Sequence, residues 1–312
     1  PKSRGSWGIT LPFDEDHVAY VWVDALINYL TASGAIDPSQ ESGAQGFDDV
    51  SGSWWPCDLH LVGKDIITTH AVYWPTLLMG VGLPLPRQIL AHGWWVVGDT
   101  KMSKSLGNVI DPLALSDEFG TDAVRWYLLR EMPTGSDASY TTERFMTRYD
   151  ELANILGNLA SRAIAMIGKY RDGVVPNAAG TGLLAETEAT FATARDAMSR
   201  YRVHEALAAA MELARAANGY VEERQPWSQA KDPEGSDALD ETLATLARVL
   251  AALCALFQPV APAKMVDLAA RLGLDGVPTL DGALALAMTG RSVRKGEPLF
   301  PRIQQTREQV QG

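Results

Sequence analysis

Residues 98–108 read Gly-Asp-Thr-Lys-Met-Ser-Lys-Ser-Leu-Gly-Asn. Lys101 and Lys104 stand three apart, with the hydroxyl residues Ser103 and Ser105 beside them. Phosphoryl and nucleotidyl transfers spread negative charge over a polyphosphate in the transition state, and a positioned ammonium stabilises that charge. The serines offer further donors to the same oxygens. A bare Lys-x-x-Lys is more often a solvated surface loop. The complete pentapeptide Lys-Met-Ser-Lys-Ser arises by chance in a chain this long only on the order of once in ten thousand, which favours the chemical reading.

Two other segments combine aromatic groups with one imidazole. Residues 20–29 read Tyr-Val-Trp-Val-Asp-Ala-Leu-Ile-Asn-Tyr, and residues 63–74 read Gly-Lys-Asp-Ile-Ile-Thr-Thr-His-Ala-Val-Tyr-Trp. Ile66, His70 and Trp74 are spaced by four and fall on one helix face. Trp22, Ala25, Leu26 and Tyr29 do the same at a predicted strand–helix junction. Together they can form an aromatic and aliphatic cup. Taken singly, Ala25, Leu26 and Ile66 are more often core residues, and His70 is more often a hydrogen-bonded core histidine.

Farther along, Asn154, Asn158 and Arg162 form a polar stripe at a spacing of four. Their in-plane donors suit base edges. Trp227 follows Gln225-Pro226, and an exposed tryptophan can stack on an unpaired base. The competing reading is a solvated helix face and a core tryptophan.

The elements that must position these groups change character near residue 140. Before it, tryptophan, glycine and proline punctuate short apolar runs, which predicts mixed α/β structure. His17–Asp24 is a strand candidate running into a helix over Ala25–Ser33. Asp58–Gly63, Gln88–His92 and Trp94–Val97 are further strand candidates. Asp65 can cap a helix reaching about Met79, with Pro75 as a possible kink. Strand, helix, strand in this order predicts part of a parallel, doubly wound sheet. After residue 140 the pattern is helical over Thr141–Tyr170, Leu183–Arg200, Val203–Glu223, Ser236–Phe257 and Ala261–Leu272, a set that packs as a bundle.

The 312 residues predict more than one domain. The 46% hydrophobic content is enough for a large core. No apolar run reaches the roughly 18 residues of a membrane helix; residues 243–262 come nearest and are broken by Arg248, Gln258 and Pro259. A net charge of −11 argues against nonspecific DNA binding. It does not exclude a selective RNA reader with local basic contacts. Cys57 and Cys254 form no Cys-x-x-Cys pair, so neither a sequence-local metal site nor a disulfide framework is expected.

The lysine loop matches the second signature of class I aminoacyl-tRNA synthetases. The 20–29 and 63–74 segments, in this order and at this separation from the loop, resemble those of methionyl-tRNA synthetases. Asn158-Leu159-Ala160-Ser161-Arg162, Gln225-Pro226-Trp227 and the closing Pro298-Leu299-Phe300-Pro301-Arg302-Ile303 extend the resemblance over nearly the whole chain. Leu26 stands where some members carry proline. The resemblance implies an α/β fold: the C-terminal half of a Rossmann-like parallel-sheet domain over 1–118, a connecting stem-contact segment over 119–140, and an all-α helix-bundle anticodon-binding domain over 141–312. It implies that Trp22, Ala25, Leu26, Tyr29, Ile66, His70 and Trp74 line a methionine site. A thioether is flexible and polarisable and favours aromatic walls. The resemblance further implies ATP with Mg2+ as cofactors. Gly63 and Asp65 would lie near the ribose, His92 and Gly93 near the adenine, and Lys101, Ser103 and Lys104 at the phosphates. Asn158, Arg162 and Trp227 would contact the tRNA anticodon. A cytoplasmic ligase, with no membrane or DNA partner, is the implied protein.

Class I synthetases also carry a His-x-Gly-His signature. His17, His60, His70, His92 and His204 show no such arrangement, and the start at Pro1 reads as a cut from something longer. The expectation is therefore a C-terminal portion that lacks this signature and the connective domain, and is inactive by itself. An isolated tRNA-binding module or inactive paralogue is the alternative. A class I synthetase for another aliphatic amino acid is a weaker one.

Overall fold

A computed structural model describes residues 8–18, 20–36, 53–97, 100–101 and 110–303. Its contacts divide the chain between Trp94 and Trp95, ahead of the expected boundary at 118.

The first unit opens with a short antiparallel pair, β1 (Thr10–Leu11) and β2 (Asp14–Val18). Helix α1 (Val21–Ala32) follows. Trp22, Val23 and Asp24 are therefore helical, and the expected strand over His17–Asp24 stops at Val18. The run around Val21 and Val23 has strand-like alternation. Packing decides otherwise: with Val21 to Tyr29 in one helix, Leu26 and Leu30 are both buried. Strand β3 (His60–Gly63) leads through a 3-10 turn (Lys64–Ile66) and a π-helical turn (Thr69–Tyr73) into α2 (Trp74–Gly80). Strand β4 (Ile89–His92) returns parallel to β3, pairing His60 with Ile89 and Gly63 with His92.

Asp65 is inside the first turn rather than at its cap; the extended Gly63 precedes the turn without a side-chain cap. Pro75 is in the opening turn of α2, directly after the π-helical stretch. Proline lacks the N–H that a helix interior needs and crowds the preceding turn. The wider π turn comes at the place where a regular helix would be interrupted. The core of this unit is small: Leu26, Leu30, Trp55, Trp74, Leu78 and Leu83.

The second unit starts with β5 (Trp95–Val97) and β6 (Thr100–Lys101), an antiparallel hairpin that pairs Val97 with Thr100. Helices α3 (Pro112–Phe119) and α4 (Thr121–Glu131) precede β7 (Ala138–Tyr140), which lies parallel to β5. The segment over 119–140 thus contains a core helix, with Trp126 and Tyr127 fully buried. The Trp126 ring is 5.4 Å from Phe257, and the Tyr127 ring is 5.2 Å from Phe145.

The bundle comprises α5 (Thr142–Glu151), a π-helical stretch (Leu152–Gly157), α6 (Asn158–Tyr170), α7 (Leu184–Ser199), α8 (Val203–Arg224), the short α9 (Pro226–Gln229), α10 (Ser236–Phe257) and α11 (Pro262–Arg271). Helix α10 is apolar on nearly every side from Leu239 to Phe257. A helix with that pattern is stable only when surrounded, and α6, α7, α8 and α11 all pack on it. No described helix is long and apolar enough to cross a membrane. Cys254 is in this buried helix, and burial pushes its thiol up to about 12.

Two polar clamps tie segments of the second unit together. The Asp122 carboxylate accepts from the Lys264 backbone N–H at 2.7 Å, so a residue of α4 caps the first turn of α11. Glu241 accepts from the backbone N–H groups of Gly180 (2.9 Å) and Thr181 (2.6 Å) and from the Thr181 hydroxyl (3.1 Å). Gly180 has φ +62°, and a Cβ there would be 2.8 Å from the Ala244 carbonyl carbon. Only glycine fits both the left-handed backbone and the close approach.

Candidate functional site

In the first unit, α1 and the π turn bring four of the expected pocket residues together. The Tyr29 hydroxyl is 2.9 Å from His70 Nε2, and His70 Nδ1 is 2.9 Å from the Ile66 carbonyl oxygen. A carbonyl only accepts, so Nδ1 carries a proton, and in the neutral ring Nε2 accepts from the Tyr29 O–H. Burial, and then the nearby Cys57, push the Tyr29 hydroxyl above its ordinary value. The phenol therefore stays protonated. The Trp22 ring meets His70 edge-on at 6.2 Å, and the Tyr29 and Trp74 rings are 6.1 Å apart.

The remaining pocket candidates divide. Leu26 is only 1% exposed and belongs to the core. Ala25 is exposed. Ile66 is half-buried and supplies the carbonyl that orients His70. The sequence reading missed His60, whose Nε2 accepts from the Trp74 indole N–H at 3.2 Å. Its place on β3, two residues before the buried Val62, was the available signal, because residues two apart on a strand share a face.

Gly63 and His92 are paired at the carboxyl ends of the parallel strands β3 and β4, the end at which α/β sheets bind ligands. A Cβ on Gly63 would be 2.6 Å from an Asp65 carboxylate oxygen and 3.9 Å from His92 Cε1. The three residues thus converge around a spot that a side chain would fill. His92 Nδ1 donates to the Gly93 carbonyl at 2.8 Å. The Lys64 ammonium stands 4.2 Å over the Trp94 ring, a cation–π contact. Lys101 is in β6, where its backbone pairs with Val96. Ser103 and Lys104 lie outside the described residues.

In the second unit, Asn154, Asn158 and Arg162 line one open groove, with Arg215, Asn218 and Glu222 on its α8 side. The Arg162 guanidinium donates to Glu222 at 2.7 Å. Asn218 donates to the carbonyls of Ile155 (3.1 Å) and Ala214 (2.9 Å). The first of these carbonyls is in the π-helical stretch. Asn218 Oδ1 is buried without a hydrogen-bond partner. Arg215, Asn218 and Glu222 are spaced by three and four along α8, a helical stripe that was open to recognition. Trp227 is 37% exposed on α9, directly after the buried Pro226 and the left-handed Gln225 (φ 46°). That exposure contrasts with the fully buried Trp74 and Trp126.

Known proteins resemble this chain over nearly its whole length. Residues 3–164 match the family model for class I tRNA synthetases (M), and residues 181–271 match that for the anticodon-binding domain of tRNA ligases. The chain is 43% identical over 317 residues to methionine–tRNA ligase 1 of Bacillus anthracis, covering 97% of this chain and 46% of that protein. It is 40% identical over 320 residues to the methionine–tRNA ligase of Bacillus subtilis, covering 98% and 46%. The structure of Mycobacterium tuberculosis methionyl-tRNA synthetase in complex with methionyl-adenylate superposes with a TM-score of 0.83 at 40% identity, covering 96% of this chain and 59% of that one. The chain spans about half the length of the curated relatives it matches. A family model that runs from before β1 into α6, followed by a match to the anticodon-binding domain, shows that the chain belongs to the methionyl-tRNA synthetases of class I.

Proposed function

We propose that this chain supplies the methionine pocket, the lysine loop and the anticodon-reading bundle of an enzyme that ligates methionine to its tRNA. In the first step the methionine carboxylate attacks the α-phosphorus of ATP, giving methionyl-adenylate and pyrophosphate. In the second, a tRNA ribose hydroxyl attacks the acyl carbon and AMP leaves. Trp22, Ala25, Tyr29, Ile66, His70 and Trp74 surround the thioether side chain, with Leu26 in the core that supports them. Gly63 and Asp65 serve the ribose, and His92 and Gly93 the adenine. Lys101 and Lys104 neutralise the phosphates as the leaving group departs, and the Ser103 hydroxyl donates to the same oxygens. ATP brings Mg2+ on its phosphates, since this ion is bound largely through substrate phosphates and water. Asn158, Arg162 and Trp227 read the anticodon. Two free cysteines suit a reducing cytoplasm.

The observation that carries the proposal is the Trp22–Tyr29–His70–Trp74 cluster, in a fold shared at 40% identity with a structure that holds methionyl-adenylate. An imidazole and a protonated phenol between indole rings suit an uncharged, polarisable side chain. A charged side chain would be poorly solvated there.

Methionine-dependent exchange of pyrophosphate into ATP tests the proposal. The chain as given, without a His-x-Gly-His arrangement, should show none. The full-length gene product should show exchange that discriminates against leucine and isoleucine. Exchange by the isolated chain would refute the need for that signature. Retained tRNA binding by a full-length protein without exchange would favour a tRNA-binding module instead.

A further inference from the structure

His60 is at the centre of the aromatic cluster, yet no step of the proposed reaction uses it. Its side chain is buried on β3. Its ring lies 4.6 Å from Tyr29, 5.7 Å from His70 and 6.3 Å from Trp55. Trp74 is 1% exposed, and an indole N–H can only donate. Its acceptor at 3.2 Å is His60 Nε2, so the His60 proton resides on Nδ1 and the ring is neutral. Burial, reinforced by His70, holds the imidazole below its ordinary pKa, in keeping with that state.

We infer that His60 is a positioning residue for the amino-acid site, resting on the proposed assignment of Trp22, Tyr29, His70 and Trp74 to the methionine pocket. Through its Nε2 it fixes the rotation of the Trp74 indole. Through its tilted ring contact at 4.6 Å it backs the Tyr29 phenol, whose hydroxyl meets His70. Two walls of the pocket therefore take their orientation from one side chain that does not need to touch the substrate. Phenylalanine at this position would keep the ring and leave the Trp74 N–H buried without an acceptor. Glutamine would place a carbonyl oxygen near the Nε2 position and restore one.

The test compares His60→Phe, His60→Gln, Trp74→Phe and the double variant His60→Phe/Trp74→Phe in the full-length gene product. Loss of a buried acceptor should raise the exchange KM for methionine by about tenfold in His60→Phe. The kcat and the KM for ATP should stay within about twofold. His60→Gln should recover to within about threefold of the parent. Because both changes act on one hydrogen bond, the double variant should be no worse than Trp74→Phe alone. A second readout needs no activity. In the 15N spectrum, the Trp74 indole signal, identified by its loss in Trp74→Phe, should shift and exchange faster in His60→Phe while the other indole signals hold. Equal rises in both KM values, additive single effects, or an unmoved Trp74 signal would overturn the inference. If the parent protein shows no methionine-dependent exchange, the pocket assignment fails. The Trp74 signal then still decides whether His60 holds that ring.

Discussion

Exchanging Trp227 for leucine or phenylalanine should separate a ligand-binding ring from a fold-holding one. Complete burial makes a tryptophan-to-alanine change cost about 3–5 kcal/mol, the expectation for Trp126, which is 0% exposed with its N–H on the Arg148 carbonyl at 3.0 Å. Trp227 is 37% exposed, so scaling by the buried fraction leaves an upper bound of about 2–3 kcal/mol for its complete truncation. Leucine retains much of that apolar contact and phenylalanine retains more. Both variants should therefore melt within several degrees of the parent, at about 2–4 °C per kcal/mol for a unit of this size. Stacking on an unpaired base is worth about 1–3 kcal/mol and needs an aromatic face. Trp227→Leu should accordingly weaken binding of a methionine anticodon stem-loop by tenfold or more, on the order of that energy. Trp227→Phe should stay within about threefold. The assay is fluorescence anisotropy of labelled stem-loop, at a temperature where all variants are folded. Leucine binding like the parent, or losses that merely track the melting temperatures, would refute the stacking role.

Lys104→Ala should slow adenylate formation far more than it weakens methionine binding, measured by single-turnover exchange and equilibrium binding; equal effects would remove its transition-state role. For Glu241, burial pushes the carboxyl up, and the donors from Thr181 and Gly180 outweigh that and hold it below its ordinary range. A carboxyl lowered in the folded state stabilises above its unfolded pKa and loses that stabilisation as pH falls through the folded one. Glu241→Gln should therefore cost about 1–2 kcal/mol in urea unfolding at neutral pH. The gap to the parent should close below about pH 4, and a gap that ignores pH would count against the clamp. Hydrogen exchange should show the α10 amides protected far longer than those of α1 and α2; equal protection would contradict the difference in core size between the two units.

The helical bundle was legible because its signal is long. Periodicity over ten to twenty residues survives local noise, and the ranges for α7, α8, α10 and α11 fall within a residue or two of expectation. Around α1 the signal was short. Val21 and Val23 alternate like a strand, so the helix expected from Ala25 in fact begins four residues earlier, at Val21. The spacing of His70 and Trp74 was visible, but the π turn that lies between Ile66 and Trp74 was not, since no residue type marks a widened turn. His60 was missed for a related reason: a histidine in an apolar strand reads as core until the indole that donates to it is seen. Arg215, Asn218 and Glu222 were passed over because a polar stripe on a long helix looks like solvated surface. Their opposition to Asn158 and Arg162 is a tertiary fact.

The two candidate sites relate differently to the folds that carry them. In the bundle, Asn158, Arg162 and Trp227 sit on a core that is complete without them, because the buried faces of α6, α8 and α10 belong to leucine, isoleucine and alanine. With the proposed anticodon role, substitutions at these three positions have little effect on stability. In the first unit, Trp74 is both a pocket candidate and one of six buried core residues, and Leu26 is another. Truncating either would open a cavity at the centre of a small core. Loss of methionine use would then say nothing about contact with methionine. The informative substitutions in that unit are those that preserve volume and change one polar atom, such as His60→Gln. A pocket assembled from core aromatics gains rigidity from packing. With the proposed roles, it also ties substrate choice to stability, so a change of substrate there would require repacking the core, whereas a change of anticodon would not.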